Sequence, residues 1–300
     1  MIKGVLKWIG IVLGGLVGLL LLAAVVLYLL GTAKLNKKYE IPVEAVTVPA
    51  DEQAVQRGKH LATIFMCTGC HTQSLAGQVF YVVPGMVSIP TPNLTSGVGG
   101  VGATFQNEDF VRAIRHGVKP DGSALFIMPS KAFHYMSDED LGAVIAYVKS
   151  LPPVDNPMPE RRVELMGRLM IGAGMFPPFA ADQIDHTSPP PPAPQPGVTV
   201  AYGEYLAHIC TECHGADLNG APFGPPGQEV PSPNLTPGGE LAAWSEQGFI
   251  NTLRTGVTPS GHTLSEEMPW KNFGQMTDDE LRALWLYLHS LPAREQGGVK

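Results

Sequence analysis

Two parts of this chain repeat each other at an offset of 139 to 145 residues. The motif Cys67-Thr-Gly-Cys70-His71 of the first part returns in the second as Cys210-Thr-Glu-Cys213-His214. Four further blocks recur in the same order: 92–95, 110–118, 128–129 and 136–141 return as 233–236, 249–257, 268–269 and 276–281. Because regular self-similarity marks a duplicated structural unit, the sequence predicts two copies of one domain, at 45–155 and 199–293, joined by an inter-domain segment at 156–198.

The local signals in each copy predict an all-α domain. A first helix precedes each Cys-x-x-Cys-His motif. Middle helices at 110–116 and 249–255 should end at Gly117 and Gly256, since glycine suits the left-handed conformation that follows a helix. The last helices should begin at capping-box sequences, at Ser137 and Thr277, and end before Leu-Pro. No segment alternates apolar and polar residues over many positions, so strands are expected to be incidental.

The N-terminal region, 1–40, is predicted to be a membrane anchor. The 23 residues from Trp8 to Leu30 carry no charge, and a helix of that length can cross a hydrocarbon core of about 30 Å. A cleaved signal peptide is the alternative because small residues follow at 31–33, although its apolar region normally has only about 7 to 15 residues. Lysines flank both ends of the span, so the positive-inside rule leaves its orientation open.

The inter-domain segment has two parts of different character. Residues 187–196 are rich in proline, which favours an extended polyproline spacer over a helix or a sheet. Residues 160–175 fit a short amphipathic helix with Val163, Met166, Leu169 and Met170 on one face. Packing between the two domains is its expected role, and contact with a membrane surface is the alternative.

Each Cys-x-x-Cys-His motif has the geometry for covalent haem attachment. Its two thiols can form thioethers with the porphyrin vinyl groups, and the adjacent imidazole can bind the iron from the proximal side. A redox dithiol or half of a zinc site would need only the two cysteines, and neither explains the histidine that follows both pairs. The sequence therefore predicts two haem c groups, attached at Cys67 and Cys70 and at Cys210 and Cys213, with His71 and His214 as proximal ligands.

The sixth iron ligand is predicted to be a methionine sulfur, which raises the reduction potential of a haem. Met128 and Met268 lie 57 and 54 residues after the proximal histidines, and both precede proline in a loop before the last helix. Met136 and Met276 also recur, but each stands just before a helix N-cap, where a buried apolar residue is the ordinary explanation. The predicted distal ligands are therefore Met128 and Met268.

Other polar residues receive simpler interpretations. The remaining histidines have no histidine at the matching position of the other copy and are interpreted as surface or hydrogen-bonded residues: 60, 116, 134, 186, 208, 262 and 289. The repeated Pro-Asn-Leu-Thr blocks predict turns, because asparagine suits a tight bend. A contact with the haem edge is an equal alternative for these blocks.

The order of these motifs resembles that of bacterial di-haem cytochromes c built from two class I cytochrome c domains, over about residues 51–153 and 199–293. It is particularly similar to the cytochrome c subunits of membrane-bound alcohol and gluconate dehydrogenases, which pass electrons toward the respiratory chain. The resemblance implies the same ligand set, with the N-terminus inside and both haem domains on the periplasmic side of a bacterial cytoplasmic membrane. Those subunits commonly carry three haem motifs and this chain carries two, so a general donor in a respiratory or photosynthetic chain is an equal expectation.

Charge indicates the class of partner. The chain has a formal net charge of −7, and residues 41–300 alone carry −11. Such a surface repels nucleic acid and attracts redox proteins with basic patches. Iron with histidine and methionine on its two faces has no open position for a substrate, so single-electron transfer without catalysis is the expected function. The alternatives are a haem-bearing subunit of a dehydrogenase or other redox complex, and a di-haem enzyme such as a peroxidase.

Overall fold

The computed structural model of the protein describes residues 2–224 and 229–297, and these are mainly helical. Their helices are α1 (Ile2–Leu35), α2 (Glu52–Ile64), α3 (Cys67–His71), α4 (Asn107–His116), α5 (Ser130–Phe133), α6 (Asp138–Ser150), α7 (Leu165–Gly172), α8 (Val200–Ala207), α9 (Thr211–His214), α10 (Glu246–Thr255), α11 (Trp270–Phe273) and α12 (Asp278–Ser290). Their strands are β1 (Gln78–Val83), β2 (Val87–Thr91), β3 (Arg162–Val163), β4 (Pro222–Phe223) and β5 (Val230–Pro231). The prediction of an all-α fold after an N-terminal apolar helix is confirmed.

The helices end and begin at the predicted signals. Gly117 and Gly256 follow α4 and α10 in the left-handed conformation, with φ of 68° and 73°. Ser137 and Thr277 are the N-caps of α6 and α12, and each hydroxyl accepts a backbone N–H three residues on. In α12 the carboxylate of Glu280 also accepts the Thr277 N–H, which completes a capping box. Local sequence signals therefore set the same helix boundaries in both copies.

The first and last helices of each copy pack at very close range. A Cβ on Gly58 would lie 1.9 Å from the carbonyl oxygen of Ala143, and a Cβ on Gly203 would lie 2.0 Å from that of Ala283. Since no side chain fits in such a gap, glycine is required where α2 crosses α6 and where α8 crosses α12. This contact explains why the two glycines hold the same place in the repeat.

The two copies share one hydrophobic core. The rings of Phe65 and Tyr205 meet edge to face with their centroids 6.5 Å apart. Tyr135 of the first copy stacks on His208 of the second, with ring centroids 3.9 Å apart and an interplanar angle of 1°. The interface is therefore a packed interior, built in large part from aromatic rings.

A small sheet adds to the first copy. β1 and β2 form an antiparallel hairpin in which Val83 pairs with Val87, and β3 from the inter-domain segment extends it through the pair Val87 and Val163. At the corresponding place of the second copy, the described residues form only the two-residue pair β4 and β5. The strands are few, as expected, but the three-stranded sheet is a structured feature that the sequence did not predict.

The inter-domain segment departs from its predicted role. The described chain has neither helix nor strand from 183 to 199, which agrees with its proline content. However, α7 packs against the end of α1, so its expected position between the domains is wrong. Its buried residues are Gly167 and Ile171, and of the predicted apolar face Met166 is exposed whereas Val163, Leu169 and Met170 are partly buried. The reason is close backbone contact: a Cβ on Gly31 would lie 2.0 Å from a carbonyl oxygen of α7.

Candidate haem sites

Short helices present the two Cys-x-x-Cys-His motifs. The first motif coincides with α3, and the second runs from Cys210, the residue before α9, to His214 at its end. All four cysteines are partly buried and none is in a disulfide. Within each motif the two thiols are separated by about one helical turn, which is the spacing that attachment to both vinyl groups needs.

Burial makes the four thiols poor redox nucleophiles. Loss of solvation raises the pKa of Cys67 to about 12 and that of Cys70 to about 11. The same effect raises the pKa of Cys210 to about 12 and that of Cys213 to about 11. Because a reactive dithiol depends on a lowered thiol pKa, these sites are suited to permanent bonding rather than to thiol–disulfide exchange.

Each motif histidine is held by a backbone carbonyl. His71 Nδ1 donates to the carbonyl oxygen of Pro92 over 2.9 Å, and His214 Nδ1 donates to that of Pro233 over 2.8 Å. These bonds place the proton on Nδ1 and leave the Nε2 lone pair for iron, in the arrangement that metal-bound imidazoles adopt. Burial lowers the pKa of both histidines despite the bond to the carbonyl, so the neutral, ligating form is favoured.

The Pro-Asn-Leu-Thr blocks form the loops that supply these carbonyls. The side chain of Asn93 is completely buried; its Oδ1 accepts from the Thr95 N–H and hydroxyl, and its Nδ2 donates to the Val154 carbonyl. Asn234 makes the equivalent three bonds in the second copy. The blocks are turns, as predicted, and in addition they fix the proximal imidazoles. Sequence analysis missed this role, because the acceptor is a backbone carbonyl, which every residue has.

The predicted distal methionines lie at matching places. Met128 and Met268 are partly buried and pack against the shared core, each in the loop before a short helix, α5 or α11. Met136 and Met276 are 4% and 1% exposed and directly precede the N-caps of the last helices. Their burial agrees with a packing role.

Each attachment motif lies against the other copy. Asn272 in α11 donates through Nδ2 to the hydroxyl of Thr68, inside the first motif, over 3.0 Å, and to the Thr63 carbonyl over 3.1 Å. In the reverse direction α5 contacts the turn His208–Cys210 that leads into the second motif. The helix after each Met-Pro pair therefore borders the attachment site of the opposite copy.

Several other histidines make polar contacts, as interpreted. Nε2 of His60 lies 2.8 Å from Glu280 across the domain interface. His116 is buried, with Nδ1 3.0 Å from Nδ1 of His186 and Nε2 3.2 Å from Glu44. No group of three or more His, Cys, Asp or Glu side chains within 2–224 and 229–297 is arranged to hold a metal ion.

A duplicated Cys-x-x-Cys-His motif with carbonyl-bonded imidazoles, carried on helical domains, defines a c-type haem protein. The chain belongs to the cytochrome c family, whose model matches residues 55–152 and 200–292. The donor set fits haem c: each copy offers two partly buried thiols and one imidazole whose Nδ1 is engaged by a carbonyl, so that its Nε2 is left for a metal.

Comparison with individual proteins gives a consistent result. The chain is 29% identical over 292 residues to the fructose dehydrogenase cytochrome subunit of Gluconobacter japonicus, covering 86% of this chain and 56% of that protein. It is 31% identical over 281 residues to the cytochrome c subunit of quinone-dependent alcohol dehydrogenase of Gluconacetobacter polyoxogenes, covering 83% and 58%. It is also 25% identical to a di-haem c-type cytochrome of Cereibacter sphaeroides, covering 80% and 86%. The chain thus spans little more than half the length of the two dehydrogenase subunits.

Proposed function

We propose that the protein carries two haem c groups and transfers single electrons between a membrane-associated donor and an acceptor in a respiratory or photosynthetic chain. The observation that carries this proposal is the duplicated motif, with each imidazole fixed by a proline carbonyl at 2.9 or 2.8 Å. The bound haem supplies a one-electron iron couple. The chain supplies attachment, orientation of the ligand and a low-dielectric surrounding.

Full coordination of both irons favours a carrier over a catalyst. The first haem would be held by Cys67, Cys70, His71 and Met128, and the second by Cys210, Cys213, His214 and Met268. Partial burial of both distal methionines against the core supports this assignment, since a thioether must be shielded from water to remain the sixth ligand. With both axial positions filled, neither site offers a place for peroxide or another substrate.

The packed interface supports electron passage within the chain. Asn272 touches the first attachment motif from the second copy, and the stacked pair Tyr135 and His208 joins the segment after α5 to the segment before Cys210. A shared core keeps the two sites in a fixed relation.

Membrane attachment is proposed through α1, with both haem domains on the periplasmic side of a bacterial cytoplasmic membrane. Of the helices within the described residues, only this one is long and apolar enough to cross a membrane. The last turns of its apolar part belong to the folded domain: a Cβ on Gly172 would lie 2.0 Å from the Leu27 carbonyl oxygen, and the Arg168 guanidinium lies 5.8 Å from the centre of the Tyr28 ring. These contacts favour retention of the helix over its removal as a signal peptide.

A second candidate is a haem-bearing subunit of a membrane dehydrogenase complex. The names of the relatives favour it, since they are cytochrome subunits of fructose and alcohol dehydrogenases. Residues 41–300 carry −11, so the partner surface in either case should be rich in lysine and arginine. Purification in mild detergent separates the candidates: a co-purifying dehydrogenase supports a subunit, and a lone polypeptide supports a free carrier.

Carbon monoxide tests the carrier assignment itself. The reduced protein should show no rapid change in its haem spectrum on addition of the gas, because methionine occupies the sixth position of both irons. A redox titration of the same sample should show two one-electron steps. Rapid carbon monoxide binding at one haem would contradict the proposal and favour a di-haem enzyme.

A further inference from the structure

We propose that the first copy rests on the lipid bilayer through a second, non-spanning contact beside the exit of α1. This contact, the anchor-side face, consists of Phe80 and Val82 on β1, Leu165 and Met166 on α7, and Met175 after it. The proposal rests on α1 being a membrane anchor. The anchor-side face contacts the interface of the outer leaflet: acyl chains lie against its apolar residues, and anionic phospholipid headgroups lie against the neighbouring basic residues.

Helix α7 is fixed at the level where the apolar span of α1 ends. A Cβ on Gly172 would lie 2.0 Å from the Leu27 carbonyl oxygen, so the two backbones are in direct contact. The guanidinium of Arg168 donates to the Thr32 hydroxyl over 3.2 Å and lies 5.8 Å from the centre of the Tyr28 ring. Since the strongly apolar run of α1 ends at Leu30 and the first charged residue after it is Lys34, α7 lies beside the headgroup layer whenever α1 crosses the bilayer.

The hairpin of β1 and β2 is joined to the same assembly. The Glu164 N–H donates to the Met86 carbonyl over 2.8 Å, just before α7 begins. Gly167 inside α7 packs on the same carbonyl, since a Cβ there would lie 2.5 Å from its oxygen. The turn of the hairpin, α7 and the end of α1 therefore form one continuous surface.

This surface is apolar and open to its surroundings. Leu165 is 64% exposed, Met175 55%, Val82 54%, Met166 49% and Phe80 43%. Short amphipathic elements of this kind bind the interface of a bilayer, where burial of the apolar side chains is favourable. Continuity with a membrane-spanning helix makes lipid the nearest apolar phase available to them.

Basic residues surround the apolar ones, on a chain that is otherwise acidic. Arg161, Arg162 and Arg168 lie within or just before α7 and Lys34 lies at the end of α1, while the acidic residues of the same stretch are Glu160 and Glu164. The side chain of Arg162 is exposed. Cations near an anionic lipid surface are attracted to it. The positive charge of these residues matches the negative charge of phospholipid headgroups and repels a partner protein that is itself basic.

Thiol accessibility in full-length holoprotein tests the contact. Three single-cysteine variants are needed: Leu165→Cys on the anchor-side face, Leu19→Cys in the middle of α1, and Val257→Cys in the second copy, where the side chain is 42% exposed. The haem cysteines do not react once they are thioethers. Each variant is placed in nanodiscs of phosphatidylcholine and phosphatidylglycerol, its haem spectrum is checked, and its rate of reaction with a polyethylene glycol maleimide is measured.

The expected result is a rate at Leu165→Cys about tenfold or more below that at Val257→Cys, because the reagent does not enter the interface. Leu19→Cys should be unreactive. A rate at Leu165→Cys equal to that at Val257→Cys, with Leu19→Cys protected, would overturn the lipid contact while leaving the anchor intact. Protection of Leu165→Cys in native membranes alone would likewise overturn it and assign the face to a partner protein. Rapid reaction at Leu19→Cys would instead reject the anchor in the proposed function.

Discussion

Replacing Asn93 by alanine removes three hydrogen bonds that hold the loop behind the first proximal histidine. Oδ1 accepts from the Thr95 N–H and hydroxyl at 2.9 Å each, and Nδ2 donates to the Val154 carbonyl at 2.7 Å. At about 1 kcal/mol for each buried bond, the variant should lose about 3 kcal/mol of unfolding free energy in the first copy. The preceding carbonyl, of Pro92, should then relax away from His71, which makes the imidazole a weaker donor and raises the reduction potential of that haem.

Guanidinium titration followed by haem absorbance measures the first effect, and a redox titration measures the second. Asn234→Ala is the matched variant, because Asn234 makes the equivalent three bonds in the second copy. This variant should shift the reduction potential of the second haem. Asn251→Ala is the control: this side chain is exposed and accepts one hydrogen bond, from Gln247. A loss below about 1 kcal/mol for Asn93→Ala, with both potentials unchanged, would refute the idea that these loops position the imidazoles.

Three further outcomes are expected. Met268→Ala should lower one reduction potential while both covalent haems are retained, and two unchanged potentials would reject this ligand. Tyr205→Phe removes a 2.8 Å hydrogen bond to the buried carboxylate of Asp140 and should lower stability by about 1–2 kcal/mol; calorimetry with no change in the melting temperature would show that the bond does not stabilise the interface. Burial is the largest single influence on Glu280 and raises its pKa, but the hydrogen bonds from His60 and Thr277 and the charge of His60 together outweigh it, so the net pKa is lowered. The carboxylate therefore stabilises the fold above its unfolded pKa of about 4.5 and loses that effect as the pH falls through its folded pKa. Glu280→Gln should flatten the acid side of the stability curve, and an unchanged curve would contradict the assignment.

The helix boundaries of each domain could be predicted from the sequence because the residues that start and end a helix act locally. Gly117 and Gly256 end helices by a backbone conformation that glycine adopts easily, and Ser137 and Thr277 start helices with hydroxyls three residues from their N–H partners. The residues of the two Cys-x-x-Cys-His motifs were equally easy to predict, since five consecutive positions carry the chemistry of haem attachment. Duplication strengthened each inference, because every signal appears twice in the same order.

Other features depend on contacts that the sequence does not show. The acceptor for His71 is a backbone carbonyl, a group that every residue has, so only the folded loop identifies Pro92. The hairpin was missed because Pro90 lies within β2 and the run of strand residues is short. The inward face of α7 is set by Gly167, whose contact depends on where the hairpin and α1 come to lie. Of the four apolar residues that dominated the prediction, Met166 is exposed and Val163, Leu169 and Met170 are only partly buried.

The central claim is that this chain holds two covalent haems through its two Cys-x-x-Cys-His motifs. Mass spectrometry of the denatured, purified protein tests it most directly, since thioether bonds survive unfolding and free haem is lost. The account predicts a mass equal to the polypeptide plus two haems, reduced to one haem when Cys210 and Cys213 are both replaced by serine. A mass equal to that of the bare polypeptide would contradict it.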